Sequence, residues 1–169
     1  MIENGMIYDG SGSKPYNGDI LMENDRIAAI RIRDGACGGS ESAGKSGDWS
    51  ADQGIHAGKK AVTPGFVDVH RHCDIAAVAD TGFGDLELAQ GITTVLGGNC
   101  GMTPFPYVKG TGRQMLDFME PCLGTAPERM KYSGFPEYMA ALEVAKPTIH
   151  VGQMIGTGAV KIAAKGFGK

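Results

Sequence analysis

The sequence has no excess of basic residues. It carries 16 Lys and Arg against 19 Asp and Glu, for a formal net charge of −3. No basic patch or stripe stands out, so nucleic-acid binding has no electrostatic support. No apolar run approaches the ~20 residues needed to cross a bilayer. The opening stretch, Met1 to Gly5, has no basic region followed by an apolar one, so neither a signal peptide nor membrane attachment is expected, and the protein is read as cytoplasmic. The four cysteines, Cys37, Cys73, Cys100 and Cys122, are widely spaced and contain no CxxC. That excludes a zinc ribbon and gives no disulfide framework; free thiols or single metal ligands fit better.

What is present describes a globular chain. Hydrophobic residues make up 42% and charged residues 21%, which supports a core and argues against global disorder. A length of 169 residues allows one domain, or one domain and part of another. The 27 glycines gather in a stretch over residues 34–60 and at the ends of apolar runs, where they mark turns and close backbone approaches.

The pattern along the chain divides near residue 60. Asp19 to Glu23 and Arg26 to Ile32 are β-prone runs flanking Asn24-Asp25, which predicts a tight hairpin in a small antiparallel layer over residues 1–33. Residues 34–58 are poor in apolar side chains and read as a mobile surface loop. Within that loop, Gly39 to Ser46 satisfies GxxxxGK[ST]. A phosphate loop needs a buried strand directly before it and a helix opening at Lys45-Ser46, and neither pattern is there, so the match is compositional. From Ala61 onward, Val62 to His70 reads as a buried strand, Leu86 to Gln90 as a short helix, and Ile92 to Leu96 as a second buried strand. Helical patterns over 111–119 and 135–145 precede a third strand over Ile149 to Ile155. Strand and helix alternating in this way predict βα units on a parallel sheet.

The chemistry-bearing residues sit at the ends of the first two of these strands. His70 and His72 are two apart, and in a regular strand such residues point to one face. They can aim two imidazoles at one point, as zinc requires. Asp68 and Asp74 share that parity, so either could orient an imidazole from behind. Short motifs of this kind also arise by chance, and two neighbouring histidines equally fit surface or core positions. Gly97-Gly98-Asn99-Cys100-Gly101 closes the second strand at the same end of the sheet. Its glycines would let the backbone approach whatever is bound, and Cys100 could supply a thiolate ligand or be a small buried hydrophobe. Cys73 has the wrong parity, Cys37 lies in the glycine-rich loop, and Cys122 sits beside Pro121 in a loop. His56 and His150 are isolated, so none of these is read as a ligand.

These residues carry a resemblance. Ala61 to Asp74 resembles the opening barrel strand of the amidohydrolase superfamily. Gly91-Ile92-Thr93-Thr94-Val95 followed by Gly98-Asn99-Cys100-Gly101 resembles one branch, the N-acyl-D-amino-acid deacylases, and residues 4–30 look like that family's N-terminal β-sandwich strands. The resemblance implies an α/β fold: part of a TIM-like (β/α) barrel, incomplete here, preceded by a small β-sandwich segment. Residues 1–60 would form the sandwich segment and 61–169 the first βα units.

It further implies zinc held by Cys100 and by histidines of later strands, with His70 and His72 lining a second metal position. The implied reaction is hydrolysis of the amide of an N-acyl-D-amino acid, a small-molecule substrate. The metal would polarise the carbonyl and activate water, and an aspartate outside these residues would act as general base. A barrel needs ~200–250 residues, so this stretch is expected to be an N-terminal portion, inactive by itself. Two departures bear on function. Gly156-Thr157-Gly158 stands where the family has Gly-His-Gly. An incomplete barrel also exposes sheet edges that favour self-association, which leaves a non-catalytic remnant or assembly piece as a second reading. Cyclic-amide hydrolases such as hydantoinase and dihydroorotase relatives share HxH but lack Gly-Asn-Cys-Gly, which makes Cys100 the discriminating residue.

Overall fold

The computed structural model describes residues 1–33 and 49–168. Cys37 and the Gly39–Ser46 match therefore lie outside the described residues. The chain divides into two compact units, a β unit over Met1–Pro64 and an α/β unit over Gly65–Lys169.

The first unit is a single sheet. Strands β1 (Ile2–Ile7), β2 (Tyr16–Glu23) and β3 (Arg26–Ile32) run antiparallel in the order β3-β2-β1. The expected hairpin is there: Glu23 pairs with Arg26, and Asn24 turns the chain at φ 56°. Asparagine tolerates that left-handed conformation better than most residues. Two short strands, β4 (Ile55–His56) and β5 (Ala61–Val62), add to β1 in parallel. The stretch read as loop over 34–58 thus ends as strand, because Ile55 donates to the Met1 carbonyl and Ala57 to that of Glu3.

Asp19 holds this sheet together. Its side chain is fully buried on β2, an unusual place for a carboxylate, and it is paired on all sides. Arg31 donates to Oδ2 from Nε (3.0 Å) and Nη2 (2.8 Å), and Arg33 donates to Oδ1 from Nε at 2.7 Å. The backbone N–H of Asn4 adds a bond of 2.8 Å to Oδ1. That N–H is available because the β1–β2 register shifts between Ile2 and Gly5, and Asn4 adopts φ 56° at the irregularity. The guanidinium of Arg31 also lies 4.6 Å from the Trp49 ring centroid, a cation–π contact.

The second unit is built on three parallel strands in the order β6-β7-β8, with β6 at Phe66–Asp68, β7 at Ile92–Gly97 and β8 at His150–Gln153. Short helices α1 (Ala76–Ala79) and α2 (Asp85–Leu88) follow β6. Helices α3 (Gly112–Leu123) and α4 (Phe135–Ala145) lie between β7 and β8, and α5 (Thr157–Lys165) follows β8. Met115, Leu116, Met119 and Leu123 form a helical stripe on α3 that packs with Ile75, Met130 and Ala159. A second cluster joins Cys73, Val95 and Ile149 beside the sheet. Pro136 opens α4, where its missing N–H costs nothing. No described helix is long and apolar enough to cross a membrane.

Two expectations are corrected. The strand over Val62 to His70 is neither continuous nor buried. Val62 belongs to β5, β6 stops at Asp68, and Phe66 and Val67 are 58% and 55% exposed. The reason is topological: among the described residues β6 is an edge strand with β7 as its one neighbour. Cys122 is not in a loop either; α3 continues through Pro121 and stops at Gly124, whose φ of 85° suits glycine at a helix end.

Burial pushes the Asp19 carboxyl up, and the hydrogen bonds from Arg33, the Asn4 N–H and Arg31 more than reverse this, leaving it below its ordinary 3.8. Its contribution to stability is therefore present above pH 3.8 and lost as the pH falls through the lowered folded-state value. Asp19→Asn should destabilise the first unit by about 2 kcal/mol at neutral pH. The gap between parent and variant should close as the pH drops below 3.8, which urea titrations at neutral and acidic pH will read.

Candidate metal centre

The register of the three strands places Asp68, Gly97 and Gln153 at one edge of the sheet, where each strand ends. Past Asp68 the chain leaves the strand. The Asp68 carboxylate accepts the backbone N–H of His70 at 3.1 Å, a local turn that competes with the strand ladder. The shared strand parity of His70 and His72 is thus not what brings them together, and Asp68 holds the backbone of His70 in place of its ring.

The two histidines converge nonetheless. Their ring centroids are 5.4 Å apart in an edge-on arrangement, and His70 Nε2 lies 3.2 Å from Cys100 Sγ. One donor atom from each of His70, His72 and Cys100 falls within 4.8 Å of the others. Tetrahedral zinc with bonds of ~2.0–2.3 Å places its ligands roughly 3.3–3.8 Å apart. Small side-chain rotations close that difference, and two imidazoles with a thiolate are a donor set that zinc prefers. The residues present therefore fit a zinc ion.

Neighbouring groups define this cluster. The backbone N–H of Arg71, between the two histidines, donates to the Leu96 carbonyl at 3.1 Å. Asn99 Nδ2 donates to the same carbonyl at 2.7 Å. The Arg71 guanidinium donates to buried Glu87, Nη2 to Oε1 at 2.5 Å, which compensates its positive charge. Cys100 sits in a 3₁₀ turn, Asn99–Gly101, at φ 55°, and it is exposed. The alternative of a small buried hydrophobe is excluded for it. Cys73 does have that character: it is buried, and burial pushes its thiol up to about 12.

The glycines of the turn serve a different end from the one expected. The space that side chains would fill at Gly97 and Gly98 is taken by the protein. A Cβ on Gly97 would lie 2.7 Å from Gln153 Oε1 and 3.3 Å from Asp74 Oδ1, and one on Gly98 would collide with the Met154 carbonyl. Asp74 is fully buried below this turn. Burial pushes its carboxyl above the ordinary carboxylate value, and the hydrogen bond from Gln153 opposes that shift. Gln153 carried no motif in the sequence; a polar residue ending an apolar strand was the available signal.

The remaining candidates are dispersed. His56 is exposed on β4, His150 opens β8 at the opposite end of that strand from Gln153, and Cys122 is on α3. Thr157 begins α5 next to the Cys100 turn, 3.4 Å from where a Gly101 Cβ would stand.

Comparison with known proteins follows this geometry. No family model matches the chain. The N-acyl-D-glutamate deacylase of Alcaligenes xylosoxydans xylosoxydans is 32% identical over 169 residues, covering 97% of this chain and 30% of that protein. Among solved structures, the N-acyl-D-glutamate deacylase of Bordetella bronchiseptica, in complex with zinc and a phosphonate mimic of the tetrahedral intermediate, matches with a TM-score of 0.72 and 30% identity, over 96% of this chain and 30% of that one. A D-aminoacylase described as defining a novel subset of amidohydrolases matches with a TM-score of 0.74 and 26% identity, over 97% of this chain and 31% of that one. The chain thus spans about 30% of the length of the relatives it matches.

A non-glycine residue in the left-handed region costs ~1–2 kcal/mol, and glycine's extra freedom when unfolded costs ~0.5–1 kcal/mol. Cys100→Gly should therefore leave thermal stability within about 1 kcal/mol of the parent. A loss well beyond that in calorimetry would mean that the thiol is part of the packing.

Proposed function

We propose that this chain, which belongs to the N-acyl-D-amino-acid deacylase family, supplies part of the metal centre of an amidohydrolase that cleaves the amide of an N-acyl-D-amino acid. It would do so as the N-terminal portion of that enzyme, with residues 1–60 as a β-sandwich segment and 61–169 as the opening of a TIM-like barrel. The observation that carries the proposal is the convergence of His70, His72 and Cys100 at the strand ends. Sites on parallel βα sheets and barrels lie at that end.

Each residue has a definable part. His70 and His72 offer neutral imidazole nitrogens, and the Cys100 thiolate supplies one negative charge to a divalent cation. Zinc held there supplies Lewis-acid polarisation of an amide carbonyl and a bound water that ionises near neutrality. Asp68 keeps the His70 backbone turned toward the cluster. Arg71 is charge-paired with Glu87.

A second reading, in which the chain assembles with another polypeptide, is favoured by the exposed edge at β6. An edge strand, as β6 is among the described residues, with exposed Phe66 and Val67 invites a further strand. Light scattering across a concentration series should show mass rising with concentration if that edge is used, and a constant monomer mass counts against it.

For the metal centre, metal analysis of the purified chain should find near-stoichiometric zinc. Cys100→Ala and His70→Ala should each lose most of it while the far-ultraviolet circular dichroism is retained. Zinc absent from the parent would mean that these three side chains do not hold it unaided.

A further inference from the structure

Behind the three donor atoms lies a second polar cluster that is buried. Three of its atoms have no hydrogen-bond partner among the described residues: His72 Nδ1, Asp74 Oδ2 and Gln153 Oε1. An unpaired buried polar atom is costly, and two of these, His72 Nδ1 and Asp74 Oδ2, are a nitrogen and a carboxylate oxygen that a single proton on the ring would satisfy together.

The hydrogen bonds that do exist set the direction of each group. Gln153 Nε2 donates to Asp74 Oδ1 at 2.6 Å and to the Met154 carbonyl at 3.0 Å. Both partners are acceptors, so the amide nitrogen must face them and its oxygen must face away. Gln153 thus holds Asp74 Oδ1, while Asp74 Oδ2 has no hydrogen-bond partner among the described residues. His72 and Asp74 are two residues apart, and the unpartnered atom of each is buried. His72 Nδ1 is buried while the residue is half-exposed, and one of its ring nitrogens lies within 4.8 Å of the donor atoms of His70 and Cys100. The neutral ring that lacks a partner at Nδ1 and the carboxylate that lacks a donor at Oδ2 complement each other. The missing side chain at Gly97 makes room for the Gln153–Asp74 contact, since a Cβ there would lie 2.7 Å from Gln153 Oε1 and 3.3 Å from Asp74 Oδ1.

We propose that Asp74 and Gln153 act as a positioning pair for His72: Gln153 clasps one Asp74 oxygen so that the other accepts a hydrogen bond from His72 Nδ1–H, which leaves Nε2 unprotonated toward the donor cluster. The metal arm of this inference rests on the function proposed above, but the tautomer does not. Partners of this kind set which ring nitrogen is free to ligate, and their loss costs metal affinity roughly 10- to 100-fold.

The geometry makes an inverted outcome testable. In Asp74→Asn, Gln153 Nε2 still requires an acceptor, so it takes the new amide oxygen and turns the amide NH₂ toward His72. A donor facing Nδ1 forces the proton onto Nε2, the opposite tautomer. In Gln153→Ala that orientation is no longer imposed, and the preference for the Nδ1–H form should weaken.

Long-range proton–nitrogen NMR of the histidine-labelled, zinc-free chain, at a pH where both imidazoles are neutral, reads the tautomer directly. The parent should show His72 as the Nδ1–H form, Asp74→Asn as the Nε2–H form, and Gln153→Ala as a mixture, with His70 unchanged throughout. Chelator competition should then show zinc affinity reduced roughly 10- to 100-fold in Asp74→Asn. A parent with His72 as the Nε2–H form overturns the proposal, and so does a tautomer that ignores both substitutions. Should Asp74→Asn fail to fold, the parent spectrum and Gln153→Ala still decide. A parent with the Nδ1–H form that binds no zinc keeps the clasp and rejects the metal centre. Zinc binding with the tautomer reversed does the opposite.

Discussion

The carbonyl of Leu96, near the end of β7, accepts from the Arg71 N–H at 3.1 Å and from Asn99 Nδ2 at 2.7 Å. Through that one acceptor the histidine-bearing bend and the cysteine-bearing turn share an anchor. β6 stops at Asp68, so the ladder itself does not extend to His70 and His72. The Arg71 bond carries the pairing beyond the strand, and the Asn99 bond folds the turn back over it. A carbonyl has two lone pairs, and here both loops depend on them. The position of the donor cluster is therefore a property of the central strand, the best-buried element of this sheet, with Val95 fully enclosed. Sites supported on such elements hold their geometry better than sites carried on loops alone.

Charge is sorted around this anchor in a consistent way. Arg71 stands between the two histidines, and its guanidinium is paired with buried Glu87. Asp74 is enclosed beneath the Gly97–Gly98 corner, where burial raises its carboxyl and the Gln153 amide opposes that rise. The same physics acts in the first unit with the opposite result. Asp19 is equally buried, but two guanidiniums and a backbone N–H lower it below the ordinary range. A carboxylate satisfied on both oxygens is a structural tie. One satisfied on a single oxygen next to a half-buried imidazole retains an acceptor for that ring.

Much of this could be read from residue pattern, and the failures have identifiable causes. The hairpin at Asn24-Asp25, the helix over 135–145 and the β7 strand followed directly from alternation, turn chemistry and helical spacing. The apolar run at 62–70 misled because hydrophobic content does not reveal whether a strand is central or at an edge; Phe66 and Val67 are apolar and exposed. The convergence of His70 with His72 was anticipated on the wrong ground. Strand parity ends at Asp68, and the bend that replaces it depends on an Asp68 bond that parity cannot express. Gln153 was invisible because its significance lies in contact with Asp74 across 79 positions of sequence. Asp74 was legible only as a residue of matching parity, and its burial needed the Gly97 corner and the Tyr138 hydroxyl, which donates to its carbonyl at 2.8 Å.

Several departures from ordinary structural preference gather around the donor cluster. Cys100 is a non-glycine residue at φ 55°, Asp74 is a carboxyl in the interior, and three of the four unpaired buried side-chain atoms among the described residues belong to His72, Asp74 and Gln153. Elsewhere the second unit follows local rules: a helical apolar stripe on α3, a proline opening α4, a glycine closing α3. Strain and unmet polar groups persist only where surrounding structure holds them, and they cluster where a protein binds or reacts. Nothing in the packing of the α3 core or the sheet requires a cysteine in the left-handed region, since that thiol is exposed. Its placement is explained by what its sulfur faces, His70 Nε2 at 3.2 Å, and not by what it packs against.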